Sequence, residues 1–490
     1  MMPPENRDKA TLTRQIFKNS SIVLFGQALS LLANLAVTVM MARYLGDAGF
    51  GVFSYGLVFA SFFALIADFG MKPIIVRELA RDHWQPEAFL GAAVVMRFVL
   101  AVLAIVATVV ASIIAGYNGQ YLTVIGLLSL NIVFSSKLST FRVTFETPFN
   151  ADIDMFWPMV LRFLDSILAA ILIFLCVRFS ASLEMVVAAF VLSSAPGMLI
   201  NVILAFRKRP WIWQLDWEIV QYLLKESLPI CLYTILVTFL AGIDVFMLKA
   251  LSGEEAVGLY SAAKRLTTPM QFIPHAIVIS LFPIFSRSHV KADSGVERAF
   301  QLGFKLILLL GLAFAMTTAL MSQKIVDLLY TAEFSTSAQP LALLMWSIVF
   351  MFLNFYFIEI LTSANLQKAS FYVAAVMLLL NVPANFLLIP NYGIIGAAQA
   401  RLLAYAVGSA MLVCFVQKKY RFPEVGFWVR MAFVAVIFMA IGHLLLKSVP
   451  VVAALVVSVL LFSVLVLASG VFRPDERATF LAIFHKKSGE

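Results

Sequence analysis

Cysteine is scarce in this 490-residue chain. The three present, Cys176, Cys231 and Cys414, fall in or at the edge of apolar stretches, without the short paired spacings of a metal or redox motif. They read as small core residues. The five histidines, His83, His275, His289, His443 and His485, are scattered over separate segments, with none of the close spacings of a zinc site. No glycine-rich loop runs into Lys followed by Ser or Thr, which argues against a nucleotide-driven pump within this chain. Charge is thin, at 13% of residues, and leans basic, with a net charge of +9. Long polar stretches are missing too. The longest connections between apolar segments, near 71–90, 207–227 and 286–300, run to about 15 to 20 residues and leave no room for a large soluble domain.

What fills the chain is hydrocarbon: 62% of residues are hydrophobic and the mean hydropathy is +0.95. A bilayer core about 30 Å thick is spanned by roughly 20 apolar residues rising 1.5 Å each. Fourteen such stretches lie near 17–41, 48–70, 91–115, 121–145, 156–178, 184–206, 228–250, 256–285, 301–321, 339–363, 370–389, 393–416, 428–447 and 449–470. Cations test the scheme, because cytoplasmic loops carry the excess of Lys and Arg. The tails and even-numbered connections, with the span ends beside them, hold 27 of the 36, and the odd-numbered connections hold only Arg43, Arg178, Lys249, Lys324 and Lys447. Both termini are therefore expected in the cytoplasm, in a multi-pass protein of the cell's inner (cytoplasmic) membrane. The first 16 residues are polar and lead into a span too long for a cleaved signal peptide, which reads as an uncleaved anchor. The basic runs Arg207-Lys208-Arg209 and Lys418-Lys419 with Arg421 sit beside membrane ends, so the positive charge points to membrane lipids as partners and not to nucleic acid.

The fold class that follows is all-α, polytopic, with about 14 transmembrane helices. The aromatic and charged stretch Trp211–Trp217, continuing to Tyr222, reads as an interfacial helix near the middle of the span order. It separates an N-terminal bundle (1–206, spans 1–6) from a C-terminal bundle (228–417, spans 7–12), with 207–227 as cytoplasmic linker and 418–490 carrying spans 13–14 and a cytoplasmic tail. A repeat supports the division. After span 1 the chain reads Arg43 through Gly46-Asp47 to Gly51-Val-Phe-Ser54; after span 7 it reads Lys249 through Gly253-Glu254 to Gly258-Leu-Tyr-Ser261, offset by about 207 residues. Six spans separate the copies, an even number, so the bundles share orientation and are expected to be related by a pseudo-two-fold axis along the membrane normal.

The chain resembles the oligosaccharide flippases of bacterial polysaccharide export, which include the O-antigen and exopolysaccharide flippases of the multidrug/oligosaccharidyl-lipid/polysaccharide exporter superfamily. The resemblance is carried by Ala42-Arg43-Tyr44-Leu45-Gly46, Asp68-Phe69-Gly70, Arg77-Glu78-Leu79-Ala80-Arg81, Ile243-Asp244, Gly258-Leu259-Tyr260-Ser261-Ala262-Ala263, Phe282-Pro283 and Ile389 through Ala398, and covers about residues 20 to 415. It implies a substrate that is an oligosaccharide joined to a polyprenyl diphosphate. It further implies movement of the head group from the cytoplasmic to the periplasmic leaflet by rocking of two bundles, alongside polysaccharide polymerase or export machinery.

Ionisable groups inside a membrane cost at least about 2.5–3.5 kcal/mol and usually face a protein interior or a wet cavity. The embedded cations Arg162, Lys264, Arg265 and Arg401, with Arg43 at an outer span end, are the candidates for a cationic cavity, since guanidinium and ammonium groups suit the oxygens of a diphosphate. Arg162 has an equally good structural reading, an ion pair with Asp165 one helical turn on. Asp68, Asp244 and Glu359 are candidates for coupling to an H+ or Na+ gradient, against solvation at membrane edges or, for Asp244, a local pair with Lys249. Pro229, Pro269, Pro274 and Pro283 kink spans 7 and 8, as a hinge or as a static bend. No metal, other cofactor or catalytic residue is expected. The rival from another class is a membrane glycan polymerase or ligase, disfavoured by the short external connections. Within the transporter class the rivals are a lipid II flippase and a multidrug or cation antiporter, the latter disfavoured by the excess of deep Arg and Lys over Asp and Glu.

Overall fold

The computed structural model describes residues 4–81, 84–135, 141–271, 273–274, 277, 294–363, 366–445 and 449–472. Phe282, Pro283, Lys447, His83, His275, His289 and His485 lie outside them, as does most of the second half of the eighth expected span. Every regular element among the described residues is helical, as hydrocarbon demands of a chain whose backbone polar groups must be satisfied within each segment. Ten helices are long and apolar enough to cross a membrane, three of them bent helices that each cover two expected spans, and a shorter apolar helix pair at Gly119–Phe134 supplies the remaining one. The chain packs as two compact units, Met1–Arg265 and Leu266–Glu490.

In the first unit, α1 (Pro4–Asp68) bends at Gly46 and is followed by α2 (Lys72–Arg81), whose buried face is Ile74, Ile75 and Leu79. Then come α3 (Pro86–Ile114), α4 (Gly119–Ser129), α5 (Asn131–Phe134), a 3-10 turn at Phe141–Glu146, α6 (Thr147–Ala151), α7 (Phe156–Arg178), α8 (Leu183–Leu192), α9 (Ala195–Lys208) and α10 (Trp217–Thr267), bent at Gly253. The fourth span is shorter than the expected 121–145: its helix ends at Phe134, and the 3-10 turn at Phe141–Glu146 buries Arg142 and Glu146 against partners on α7. The sixth is broken at Ser193–Ser194, just before Pro196 opens α9. The central linker is helical only from Trp217 onward. Its first part is extended and pinned, with Trp211 buried against Phe145 and Phe206 and the Ile212 amide donating to the Glu87 carbonyl.

The unit boundary at residue 265 falls later than the linker because the seventh span packs along the second. Phe62 stacks on Phe239 with ring centroids 4.4 Å apart, Phe59 stacks on Phe246 at 5.7 Å, and Gly242 admits Val58 and Phe62 to its backbone.

The second unit holds α11 (Ser294–Leu329), α12 (Ala338–Ser363), α13 (Gln367–Val416), bent at Gly393, α14 (Val425–Leu445) and α15 (Val451–Ala468). Aromatic rings knit one end of it. Phe300 stacks on Tyr420 at 4.9 Å and meets Phe422 edge-on, and the buried Tyr356 hydroxyl donates to the Phe300 carbonyl at 2.7 Å.

Candidate functional site

The two copies of the repeat meet. Gly46 (φ 69°) and Gly253 (φ 85°) hold the left-handed backbone that glycine alone adopts without strain, and each bends its helix there. Shortly after each bend, Gly51 and Gly258 bring the two backbones together. A methyl group at 51 would stand 2.1 Å from the Glu254 carbonyl oxygen, and one at 258 would stand 1.9 Å from that of Asp47. The approach is reciprocal, each glycine lying against the turn that precedes the other. Beside it, Lys249 pairs with Glu254 at 2.7 Å and sits 4.3 Å above the Tyr121 ring, and the Tyr55 and Tyr117 hydroxyls share a hydrogen bond of 2.7 Å. The packed rings of Tyr55, Phe59 and Phe62 continue this seal along the second span.

At the other end of the first unit, buried charges gather. Asp68, at the end of α1, accepts from Arg97 Nη2 at 3.0 Å, and Arg97 Nε also donates to the Ala67 carbonyl. Arg142 is fully buried and pairs with Asp165, while Arg162 on α7 pairs with the fully buried Glu146 through both guanidinium and carboxylate ends. Lys72, opening α2, lies within electrostatic reach of Glu146, Asp68, Arg97 and Arg162. The expected pair between Arg162 and Asp165 is corrected in its hydrogen bonding: Arg162 takes Glu146 and Asp165 takes Arg142, both from the 3-10 turn at 141–146, while Arg162 and Asp165 stay within electrostatic reach of each other. Glycine makes the room, since a methyl group at Gly197 would stand 2.0 Å from Asp165 Oδ1 and 2.9 Å from Arg142 Nη2. Gly197→Ala is accordingly expected to split this buried pair, a loss of about 3–5 kcal/mol, read as folded protein lost at a markedly lower temperature in detergent while Gly126→Ala, which meets open space, leaves it unchanged.

Arg162 differs from its neighbours in retaining access, with 22% of its side chain exposed. Val160, Ile167, Ile171 and Phe174 present the lipid-type face of α7, whereas Arg162 shares the opposite face with Met159, Ser166, Ala169 and Ile173, all buried. Its access is thus to the interior side of the helix.

Asp244 is likewise corrected. It accepts from Lys264 at 2.9 Å and from the Tyr260 hydroxyl, while Lys249 goes to Glu254. The bend at Gly253 folds α10 back so that positions on either side of it face each other. Arg265 is half-buried, and Arg43 is exposed on α1. In the second unit, Arg401 is buried on α13 above the Tyr405 ring at 5.3 Å, and Glu359 is half-buried on α12. The structure thus brings Lys264 and Asp244 together and adds Arg97, Arg142, Lys72 and Glu146 to the embedded charges, residues that the apolar spans or their ends had hidden. Among the described residues, no group of three or more His, Cys, Asp or Glu could hold a metal ion.

The family model of polysaccharide biosynthesis proteins matches residues 16–289, more than half of the chain. The chain belongs to this family. A second model, MatE, matches residues 229–387. The probable low-salt glycan biosynthesis flippase Agl15 of Haloferax volcanii is 22% identical over 422 residues, covering 85% of this chain and 86% of that protein. Among solved structures, the lipid II flippase MurJ in an inward closed conformation superposes with a TM-score of 0.74 over 94% of this chain and 99% of its own, at 14% identity. An inward-facing multidrug resistance MATE family transporter of the MOP superfamily gives 0.64 over 80% and 95%, at 17% identity. The chain therefore has the fold of that superfamily, as its sequence resemblance implied, and these relatives are flippases and transporters, not enzymes.

Proposed function

We propose that this membrane protein is a flippase that moves a polyprenyl-diphosphate-linked oligosaccharide from the cytoplasmic to the periplasmic leaflet of the inner membrane, for assembly of a cell-surface polysaccharide. The observation that carries the reading is the partly accessible Arg162 on the interior face of α7, amid Lys72, Arg97 and Arg142. Cations held off the lipid face in a low-dielectric interior suit a diphosphate far better than a cationic drug. Arg43, Lys264 and Arg265 are further candidate cations in the first unit, and Arg401 is one in the second. The glycan flippase relative and the family match support the same substrate class.

The reciprocal glycine contact closes one end in an alternating-access cycle, and both termini face the cytoplasm. An H+ or Na+ gradient drives the cycle. Asp68 and Asp244 already answer Arg97 and Lys264, so Glu359, which forms no ion pair among the described residues, is the acid free to take up the ion. Polymerase and export machinery act on the product.

The test is a gene deletion in the native host, with a membrane-impermeant probe for lipid-linked oligosaccharide in the outer leaflet. Complete units trapped on the cytoplasmic face are expected. Units that cross but stay unpolymerised would assign the chain to polymerisation or ligation, and an absence of accumulation would return it to drug export. Complementation by an Arg401→Ala variant is expected to fail at normal protein abundance; normal export would remove Arg401 from the residues that transport requires.

A further inference from the structure

A cavity of about 450 Å³ opens in the second unit where α11 meets the start of α14 and the end of α15, lined among others by Gln301, Lys305, Glu424, Gly426, Phe427 and Arg430. Lys305 is almost wholly buried, 3% exposed, and sits 5.6 Å above the Phe427 ring. Arg430 reaches across to the Gly470 carbonyl that ends α15, one bond of a guanidinium fork that carries five donors. The amino-terminal turn of the 21-residue helix α14 borders the same space and adds positive potential. The floor is held in place by Gln301, which donates to the Arg421 carbonyl, and by the Arg421 amide, which donates to Glu297.

Among the described residues the lining carries two cations, Lys305 and Arg430, and one acid, Glu424. That surplus matches a single phosphodiester better than a diphosphate. Above the cavity, Val429, Phe433 and Val436 continue along α14 on the face that carries Gly426 and Arg430, all exposed, so the polar chamber runs into an apolar stripe. A soluble anion has no use for such a stripe, whereas an acyl chain lies along it.

We propose that this chamber is a binding site for the headgroup of an anionic phospholipid, with the phosphodiester between Lys305 and Arg430 and an acyl chain along Val429, Phe433 and Val436. The site fastens the α14–α15 pair to the rest of the second unit through a lipid, and it stands independently of the substrate proposed above.

The test uses the full-length protein, delipidated in detergent, with native mass spectrometry and thermal unfolding as readouts. The probes are dioctanoyl phosphatidylglycerol, dioctanoyl phosphatidylcholine, geranyl diphosphate and inorganic phosphate. Phosphatidylglycerol is expected to bind and raise the unfolding midpoint, with phosphatidylcholine much weaker. Arg430→Gln is expected to weaken phosphatidylglycerol binding about fivefold, the worth of one surface cation to an anionic lipid. Gly426→Phe is expected to abolish binding, because a Cβ at this cavity-lining position meets nothing within 4 Å and the ring it carries takes up space in the cavity. Unliganded unfolding midpoints equal to the parent's show that both variants fold; if Gly426→Phe does not, the Arg430→Gln titration decides. Unchanged affinity in the folded variants, or equal binding of the two phospholipids, would overturn the site. Preference for geranyl diphosphate would reassign it to the isoprenoid diphosphate, and stabilisation by inorganic phosphate alone would overturn the lipid.

Discussion

Replacing Gly51 or Gly258 with alanine is expected to abolish transport while leaving the protein in the membrane. The added methyl would stand about 2 Å from a backbone carbonyl in either case, and a backbone oxygen at the start of a helix cannot swing aside as a side chain can. The helices must part, so the closed arrangement loses about 1–3 kcal/mol, a shift of roughly 5- to 150-fold in its population. Ser54 reports on this directly: it lies on the second span just past Gly51, is 2% exposed, and is nearly the size of cysteine. With Cys176, Cys231 and Cys414 changed to serine, Ser54→Cys is expected to react slowly with an impermeant maleimide in the parent. In Gly51→Ala or Gly258→Ala it is expected to react faster by that same factor. The double variant should cost less than the sum of the singles, because both methyls offend one contact. Unaltered labelling in both singles would show that the glycines pack a static joint.

The spans were legible because a helix satisfies its backbone within a single segment in hydrocarbon, so that a run of about 20 apolar residues measures the membrane directly; the fifth expected span, 156–178, coincides with α7. The repeat was legible because Gly-acidic followed by Gly-apolar-aromatic-Ser is a backbone requirement, visible now as two bends and one close contact. Partners of buried charges were much less so. Local spacing suggested Asp165 for Arg162 and Lys249 for Asp244, yet both acids found cations delivered by chain reversals, at the 3-10 turn and at Gly253. The second of these could have been read, since Asp244 and Lys264 lie at nearly equal distances from the bending glycine and so face each other when α10 folds back. The first could not, because the fourth span looks like an unbroken helix until its arginine and glutamate are seen turned inward. Arg97 was hidden differently: helix α3 begins at Pro86, earlier than the apolar run suggests, which carries Arg97 deep into the bundle.

Arg162 holds Glu146 and is proposed to meet the substrate as well, and a pair of variants separates the two roles. Arg162→Met alone strands Glu146, which has no exposure of its own, and breaking a buried pair from one side costs about 3–5 kcal/mol. Membrane abundance and thermal resistance of this single variant are expected to fall sharply, and its lost transport would say little. Arg162→Met combined with Glu146→Gln removes both charges and leaves groups of similar volume. Such a replacement of a whole buried pair is often close to neutral, so abundance and unfolding temperature are expected to return near the parent's. Transport is expected to stay lost, because the cation open to the interior side of α7 has gone and a neutral methionine offers a diphosphate nothing. Arg162→Lys keeps the cation but loses the planar fork that holds Glu146 through two donors, and it is expected to retain abundance with only partial transport. Full transport by the neutral double variant would reduce Arg162 to a counter-ion for Glu146 and move the anion site to Lys264 or Arg401.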